Sequence, residues 1–298
     1  MVVEQLLNAM LLAGMYSLVA VGFTLFFGVL DLVNFAHGEM ATLAVFVSLA
    51  LLVLTAWGSG EAIWGGVLAA IVLVGCAGVL VERLALRRLR VAPPLLMLLA
   101  TVGVSIVLRE AVRLLYPAGS NPQVFPSLFP GGSVALGGLR VPYDAVTILV
   151  VAWLLIAMCD RFINRTRMGA CIRAVAQDRE AALFMGVDLD RTVAVTFFVG
   201  SALGAVAGIL NGAFYGIVRY DMGLLMAIKG FSAAVVGGLG SFYGALVGSL
   251  VLAGVETASA AYLPGGSQLR DVLSFLLVIA FLVLRPTGLL GERSVEKV

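Results

Sequence analysis

The sequence predicts an all-α integral membrane protein with about eight transmembrane helices, within a range of roughly 8–10. Three observations carry this. The 298 residues are 61% hydrophobic and only 12% charged, at a mean hydropathy of +1.09, which is too little polar surface to coat a soluble globule of this size. The apolar residues fall in runs long enough to cross a bilayer. One large polar stretch, Asp160 to Arg191, interrupts them.

A hydrocarbon core of roughly 30 Å needs about 20 helical residues. By that measure the segments lie near 5–30, 39–57, 61–81, 93–116, 143–163, 192–216, 224–262 and 269–285. The first follows Met-Val-Val-Glu-Gln without a basic flank, and its run of about 25 apolar residues exceeds a signal-peptide core of roughly 7–15; it is expected to stay as a membrane segment. Pro93 and Pro94 open the fourth, where proline costs no helical hydrogen bond. Pro117, Pro122, Pro126 and Pro130 mark 117–142 as an extended loop with a single basic residue, Arg140. The seventh segment is long enough for two pieces. The whole chain, 1–298, reads as one transmembrane domain.

Arginine placement sets the orientation. Arg83, Arg87, Arg88 and Arg90 share one connection, Arg161, Arg165, Arg167, Arg173, Arg179 and Arg191 another, and Arg285, Arg293 and Lys297 the tail. The positive-inside rule puts all three in the cytoplasm, so loop 160–191 and the C-terminus are expected inside and loop 117–142 outside. Five segments before the polar loop and three after it would leave the basic tail on the wrong side. The expected repair is that Gly237-Gly238-Leu239-Gly240 splits the seventh segment, with Asp31 to Gly38 as the matching break in the first half. Broken or re-entrant helices in corresponding halves are the mark of an inverted-repeat transporter.

Several function classes are excluded. Cys76, Cys159 and Cys171 are scattered and His37 is the sole histidine, so no metal site is expected. The basic residues form no stripe, so nucleic-acid binding is not indicated. No catalytic pair stands at a suggestive spacing. No cofactor is implied.

Two glycine series recur at intervals of four, Gly200, Gly204, Gly208, Gly212 and Gly216, then Gly240, Gly244 and Gly248. That spacing makes a stripe on which a neighbouring backbone packs closely; the plain reading is helix packing, the functional one a seam for sliding. Asp31, Asn34, His37 and Glu39 put four polar side chains within nine residues. They read either as a surface loop with helix caps or as groups facing a cavity at membrane depth, with His37 more a structural hydrogen-bonding group than a proton carrier. Lys229 and Glu256 sit in the long apolar run, where pairing would ease the burial of both. Asn34, His37, Glu39, Lys229 and Glu256 form the candidate translocation pathway. Arg109, Glu110 and Arg113 read as an interfacial anchor.

Within the polar loop, Ile172, Val175, Ala176 and Leu183 follow a helical spacing that suggests an amphipathic helix on the membrane surface, either a plain connection or a docking element for a partner. The stretch Glu180-Ala-Ala-Leu-Phe-Met-Gly186 matches the EAA-x-x-x-G motif of ABC importer permeases. Taken with Asn34-Phe-Ala-His-Gly38, Arg165-Thr-Arg-Met-Gly169, Arg173-Ala-Val-Ala-Gln-Asp178, Ala233-Ala-Val-Val-Gly-Gly-Leu-Gly-Ser241 and Arg285-Pro-Thr-Gly-Leu-Leu-Gly291, the chain resembles the branched-chain amino acid permease family of the LivH type over nearly its whole length.

The resemblance implies an inverted-repeat type II importer permease in a bacterial inner membrane. It works with two cytoplasmic ATPases, a second permease subunit that is a different chain, and a periplasmic or lipid-anchored solute-binding protein. Glu180, Ala181, Ala182 and Gly186, with Arg173 and Asp178, then form the segment seated on the ATPase. The chain lacks GxxxxGK[ST] and cannot itself hydrolyse ATP. The alternative cargo is urea, short amides or another small amino acid; the alternative class is a secondary transporter or channel, for which the membrane charges are a thin set.

Overall fold

The computed structural model describes residues 2–54, 60–90, 92–128, 132–136, 139–263, 265–285 and 287–291. Pro130, Pro286, Arg293 and Lys297 lie outside them. The helices are α1 (Val2–Leu30), α2 (His37–Leu54), α3 (Gly60–Val81), α4 (Pro94–Leu115), α5 (Tyr143–Arg165), α6 (Arg167–Gln177), α7 (Arg179–Phe184), α8 (Leu189–Tyr215), α9 (Met222–Gly237), α10 (Phe242–Tyr262) and α11 (Gly266–Leu284). Among the described residues seven helices are long and apolar enough to cross a membrane, and α9 is a shorter apolar helix. A π-helical turn, Glu82–Leu86, and a 3₁₀ turn, Arg87–Leu89, extend α3.

The ends are set by local chemistry. Proline opens α4, where its missing N–H is harmless. Thr166, Asp178, Asp188 and Ser241 each accept a hydrogen bond from the backbone N–H three residues on, at 3.0–3.1 Å, and so cap α6, α7, α8 and α10. Gly216 ends α8 in the left-handed region at φ 68°, which glycine enters without steric cost.

The first and last four long helices pack with matching partners. Helix α1 runs against α8, α9 and α10; α8 runs against α1, α2 and α3. Helix α4 lies on α2, and α11 lies on α9 and α10. The two halves, α1–α4 and α8–α11, exchange roles. The Asp31–Gly38 break appears as expected, with Asp31 at φ 53° closing α1. His37 then contacts the Val19 carbonyl at 3.1 Å, eleven residues before the end of α1, or about 16 Å back along its axis. Residues 31–36 therefore re-enter the protein, and α2 starts at depth.

The matching break is not where the glycine cluster suggested. The seventh segment does divide into α9 and α10 at Gly238–Ser241, but that turn lies at the end of α9, whereas 31–36 precede α2. In the second half the connection that, like 31–36, leads into a helix starting beside the other is Gly216–Asp221, between α8 and α9. There Gly223 lies against Gly38, each the second residue of its helix. Side chains at this crossing would strike the opposite backbone, so only the smallest residue lets the re-entrant helices meet.

Other expectations change at their edges. Gly240 has φ +87° and belongs to the turn, so the second glycine stripe reduces to Gly244 and Gly248. The polar connection holds two helices split at Asp178, because the chain bends there to cap α7. Asp160–Arg165 finish α5 and Leu189–Arg191 begin α8. Ala176 and Leu183 are exposed, whereas Ile172 and Val175 are buried. Loop 117–142 carries short strands: β2 (Ser133–Leu136) pairs antiparallel with β3 (Leu139–Pro142), and β1 (Gln123–Val124) with β4 (Ile217–Val218). These strands define one end of the molecule, the hairpin end; α6 and α7 define the other, the arginine end. Between the ends, Leu68, Val72, Leu99, Val107, Val150, Leu154, Leu276 and Ile279 are exposed, a surface that suits hydrocarbon as its solvent.

Candidate functional site

At the arginine end, α6 tucks beneath α1 and α5, burying Ile172 and Val175 at 4% exposure each. Gly169 sits so close to the Phe162 and Ile163 carbonyls that a Cβ would collide with them. The Arg173 guanidinium donates to the Ile163 carbonyl and Asp178 caps α7 at 3.0 Å, so both side chains act within the segment. Helix α7 buries Ala182 and presents Glu180 and Ala181 to solvent. Gly186 leaves it at φ +81°. The tip this creates is apolar: Leu183, Phe184 and Met185 are 50%, 90% and 84% exposed. Exposed apolar groups on a capped helix end form a patch of the kind that marks interaction sites.

Beside it runs a chain of charges that the sequence did not disclose. Glu82, on the π-helical turn, is 2% exposed at its side chain and pairs with Arg90, itself 7% exposed. Arg90 also donates to Asp190 at 2.7 Å, and Arg87 pairs with the same carboxylate. The end of α3 is thereby tied to the first turn of α8, just after the apolar tip. The visible signal was the clustered Arg87–Arg90 opposite Asp188 and Asp190; nothing in the spacing says that they meet.

The five pathway candidates are all interior. Asn34 accepts from the Ala36 N–H at 3.1 Å, a turn that starts α2. His37 is fully buried, edge-on to Phe23 and Phe26, in a slot left by Gly22 and Gly204. Glu39 is 2% exposed, and its oxygens have no hydrogen-bond partner among the described residues. Its polar neighbours are Thr42, Ser105 and the Arg109 charge. Lys229 and Glu256 do pair, at 2.7 Å, and the pair gathers three groups that were not singled out. Tyr16 donates to Glu256 at 2.8 Å and accepts from Lys229 at 3.1 Å; Asp271 lies 3.0 Å from Lys229; Arg270 lies 3.6 Å from Glu256. Arg270 and Asp271, two charges inside the last apolar run, were the available signal.

The glycine stripe of α8 receives this interior. Gly200 faces the Phe26 ring, Gly204 the His37 ring, Gly208 the Ala41 backbone, and Gly212 Val218 and Phe125. At the hairpin end, Arg109, Glu110, Asn211, Arg219, Asp221 and Leu224 line a cleft of about 430 Å³ between α4 and the start of α9. Among the described residues no group of His, Cys, Asp and Glu side chains could hold a metal.

Comparison with known proteins agrees with this geometry. The profile of the family described as branched-chain amino acid transport system / permease component matches residues 5–282. The high-affinity branched-chain amino acid transport system permease protein LivH of Escherichia coli K12 is 37% identical over 99% of this chain and 97% of its own length. Its namesake in Salmonella typhimurium is 36% identical over the same shares. The permease protein BraD of Pseudomonas aeruginosa is 37% identical, again over 99% and 97%.

Proposed function

The chain belongs to the branched-chain amino acid transport system permease family, and from that premise we propose that it forms the translocation pathway of an ABC importer for branched-chain, hydrophobic amino acids. It lies in a bacterial inner membrane with α6, α7 and the C-terminus in the cytoplasm and the β-hairpin outside. Two cytoplasmic ATPases hydrolyse the ATP, a second and different permease chain completes the pathway, and a periplasmic or lipid-anchored binding protein delivers the cargo.

One observation carries the coupling part of this reading: Phe184 and Met185 stand almost wholly exposed on a helix whose cap, Asp178, and whose neighbour, Ala182, are fixed. Water is a poor solvent for such a tip, and a cleft on an ATPase is a good one. Glu180, Ala181, Ala182 and Gly186 shape the tip, while Arg173 and Asp178 hold its backbone. Closure of the ATPases pushes on α7, and the Glu82–Arg90–Asp190 chain passes the displacement to α3 and α8. Asn34, His37, Glu39, Lys229 and Glu256 stand behind the pathway, reached when the re-entrant helices α2 and α9 part at the Gly38–Gly223 crossing. The test is uptake of labelled leucine, and separately of urea, into vesicles holding the full complex with ATP inside; Phe184→Ala with Met185→Ala should abolish ATP-driven uptake while leaving the permease folded.

A further inference from the structure

Arg270 and Asp271 occupy an unusual position. Asp271 is five residues from the start of α11, about 7 Å inside its hairpin end, and Glu256 is six residues from the end of α10. Both neighbours on α11 remain open: the side chains of Arg270 and Asp271 are 38% and 43% exposed. Charged groups at that depth do not face hydrocarbon, so this part of the α9–α11 face meets water or a polar ligand, unlike the apolar groove on the α10–α11 face lined by Val255, Leu273, Leu277 and Phe281.

Their unused valences are complementary. Arg270 approaches Glu256 and Asp271 through Nε at 3.6 and 3.8 Å, beyond ordinary hydrogen-bond length, and over a third of its side chain is exposed. Asp271 Oδ1 lies 3.0 Å from the Lys229 ammonium but accepts no hydrogen bond among the described residues. The cluster of Lys229, Arg270, Glu256 and Asp271 sums to zero charge, so it does not concentrate ions of one sign. A planar guanidinium fork binds a carboxylate in two places, and a half-exposed carboxylate with unmet hydrogen-bonding capacity beside it binds an ammonium. Leu225, one helical turn before Lys229 on the same face, is 55% exposed and offers an apolar contact.

We propose that Arg270 and Asp271 form a recognition site for the zwitterionic head of an α-amino acid, Arg270 taking the carboxylate and Asp271 the ammonium, with Lys229 and Glu256 holding both in place from behind. The inference rests on the importer reading and gives that pathway an entry station near its outer end.

The experiment measures leucine imported per ATP hydrolysed in proteoliposomes of the full complex with leucine-loaded binding protein. Arg270→Gln and Asp271→Asn should each lower that ratio at least about tenfold, the scale of a lost charge-assisted hydrogen bond. Arg270→Lys, which keeps the charge and loses the fork, should fall between. Arg113→Gln, an exposed charge elsewhere at the hairpin end, should match the parent. Ratios within twofold of the parent for both variants overturn the site, as does an equal fall in import and hydrolysis that leaves the ratio unchanged, which marks a purely structural role. A parent complex that hydrolyses ATP but imports no branched-chain amino acid overturns the importer reading and the site with it.

Discussion

Replacing Lys229 with methionine removes the hub of the buried charge cluster. The ammonium lies 2.7 Å from Glu256, 3.0 Å from Asp271 and 3.1 Å from the Tyr16 hydroxyl. At an effective dielectric of about 20, the Glu256 contact alone is worth about 6 kcal/mol of Coulomb attraction, most of it offset by the desolvation of both ions. What the substitution exposes is the other side of that balance. Glu256, 1% exposed, would keep only Tyr16 and a 3.6 Å approach from Arg270. Leaving a buried carboxylate so poorly matched costs about 3–5 kcal/mol. Denaturant titration of the purified permease, followed by tryptophan fluorescence, should register that loss, and Lys229→Met with Glu256→Leu should recover most of it by removing both charges. A single variant within about 1 kcal/mol of the parent would refute the claim that this pair is buried and interdependent.

Three further perturbations test other parts of the structure. Gly208→Ala puts a Cβ against the backbone of Ala41, whose Cα and carbonyl carbon are both 2.7 Å away, and should cost about 1–3 kcal/mol, whereas Gly103→Ala, with nothing within 4 Å, should stay within about 0.5 kcal/mol; the same titration separates them. Arg90→Gln strands the buried Glu82 and should destabilise by about 3–5 kcal/mol, while Arg87→Gln breaks a half-exposed pair and should cost at most about 1 kcal/mol. Phe184→Ala with Met185→Ala should leave the denaturation midpoint unchanged and weaken ATPase binding at least about tenfold, read by co-purification or surface-immobilised binding.

The helices were legible because lipid imposes a simple ruler: the apolar runs end within a few residues of α1, α3, α4 and α5. Lys229 and Glu256 could be paired from sequence because an isolated charge in an apolar run must find its opposite. The glycine stripe on α8 was legible as packing, since only a backbone or a ring fits over such spacing. The break at 216–221 was not anticipated, because Arg219, Tyr220 and Asp221 look like any polar connection; their resemblance in character to Asp31–Glu39 shows only once α2 and α9 are seen to start side by side. Tyr16 was invisible inside a uniformly apolar helix, where a phenol counts as one more large side chain. Arg270 and Asp271 were absorbed into the last segment because their neighbours outweigh them in any average. Arg90 and Glu82 meet through a π-helical turn, whose altered register no 3.6-residue pattern anticipates.

The central claim is that this chain moves branched-chain amino acids only when an ATPase acts on its α6–α7 segment. The direct measurement is accumulation of labelled leucine in proteoliposomes containing the permease pair, with binding protein added and the ATPases present, absent, or present with the Phe184→Ala and Met185→Ala tip. The account predicts accumulation in the first case alone, dependent on ATP. Leucine accumulation that persists without ATPase subunits would contradict it.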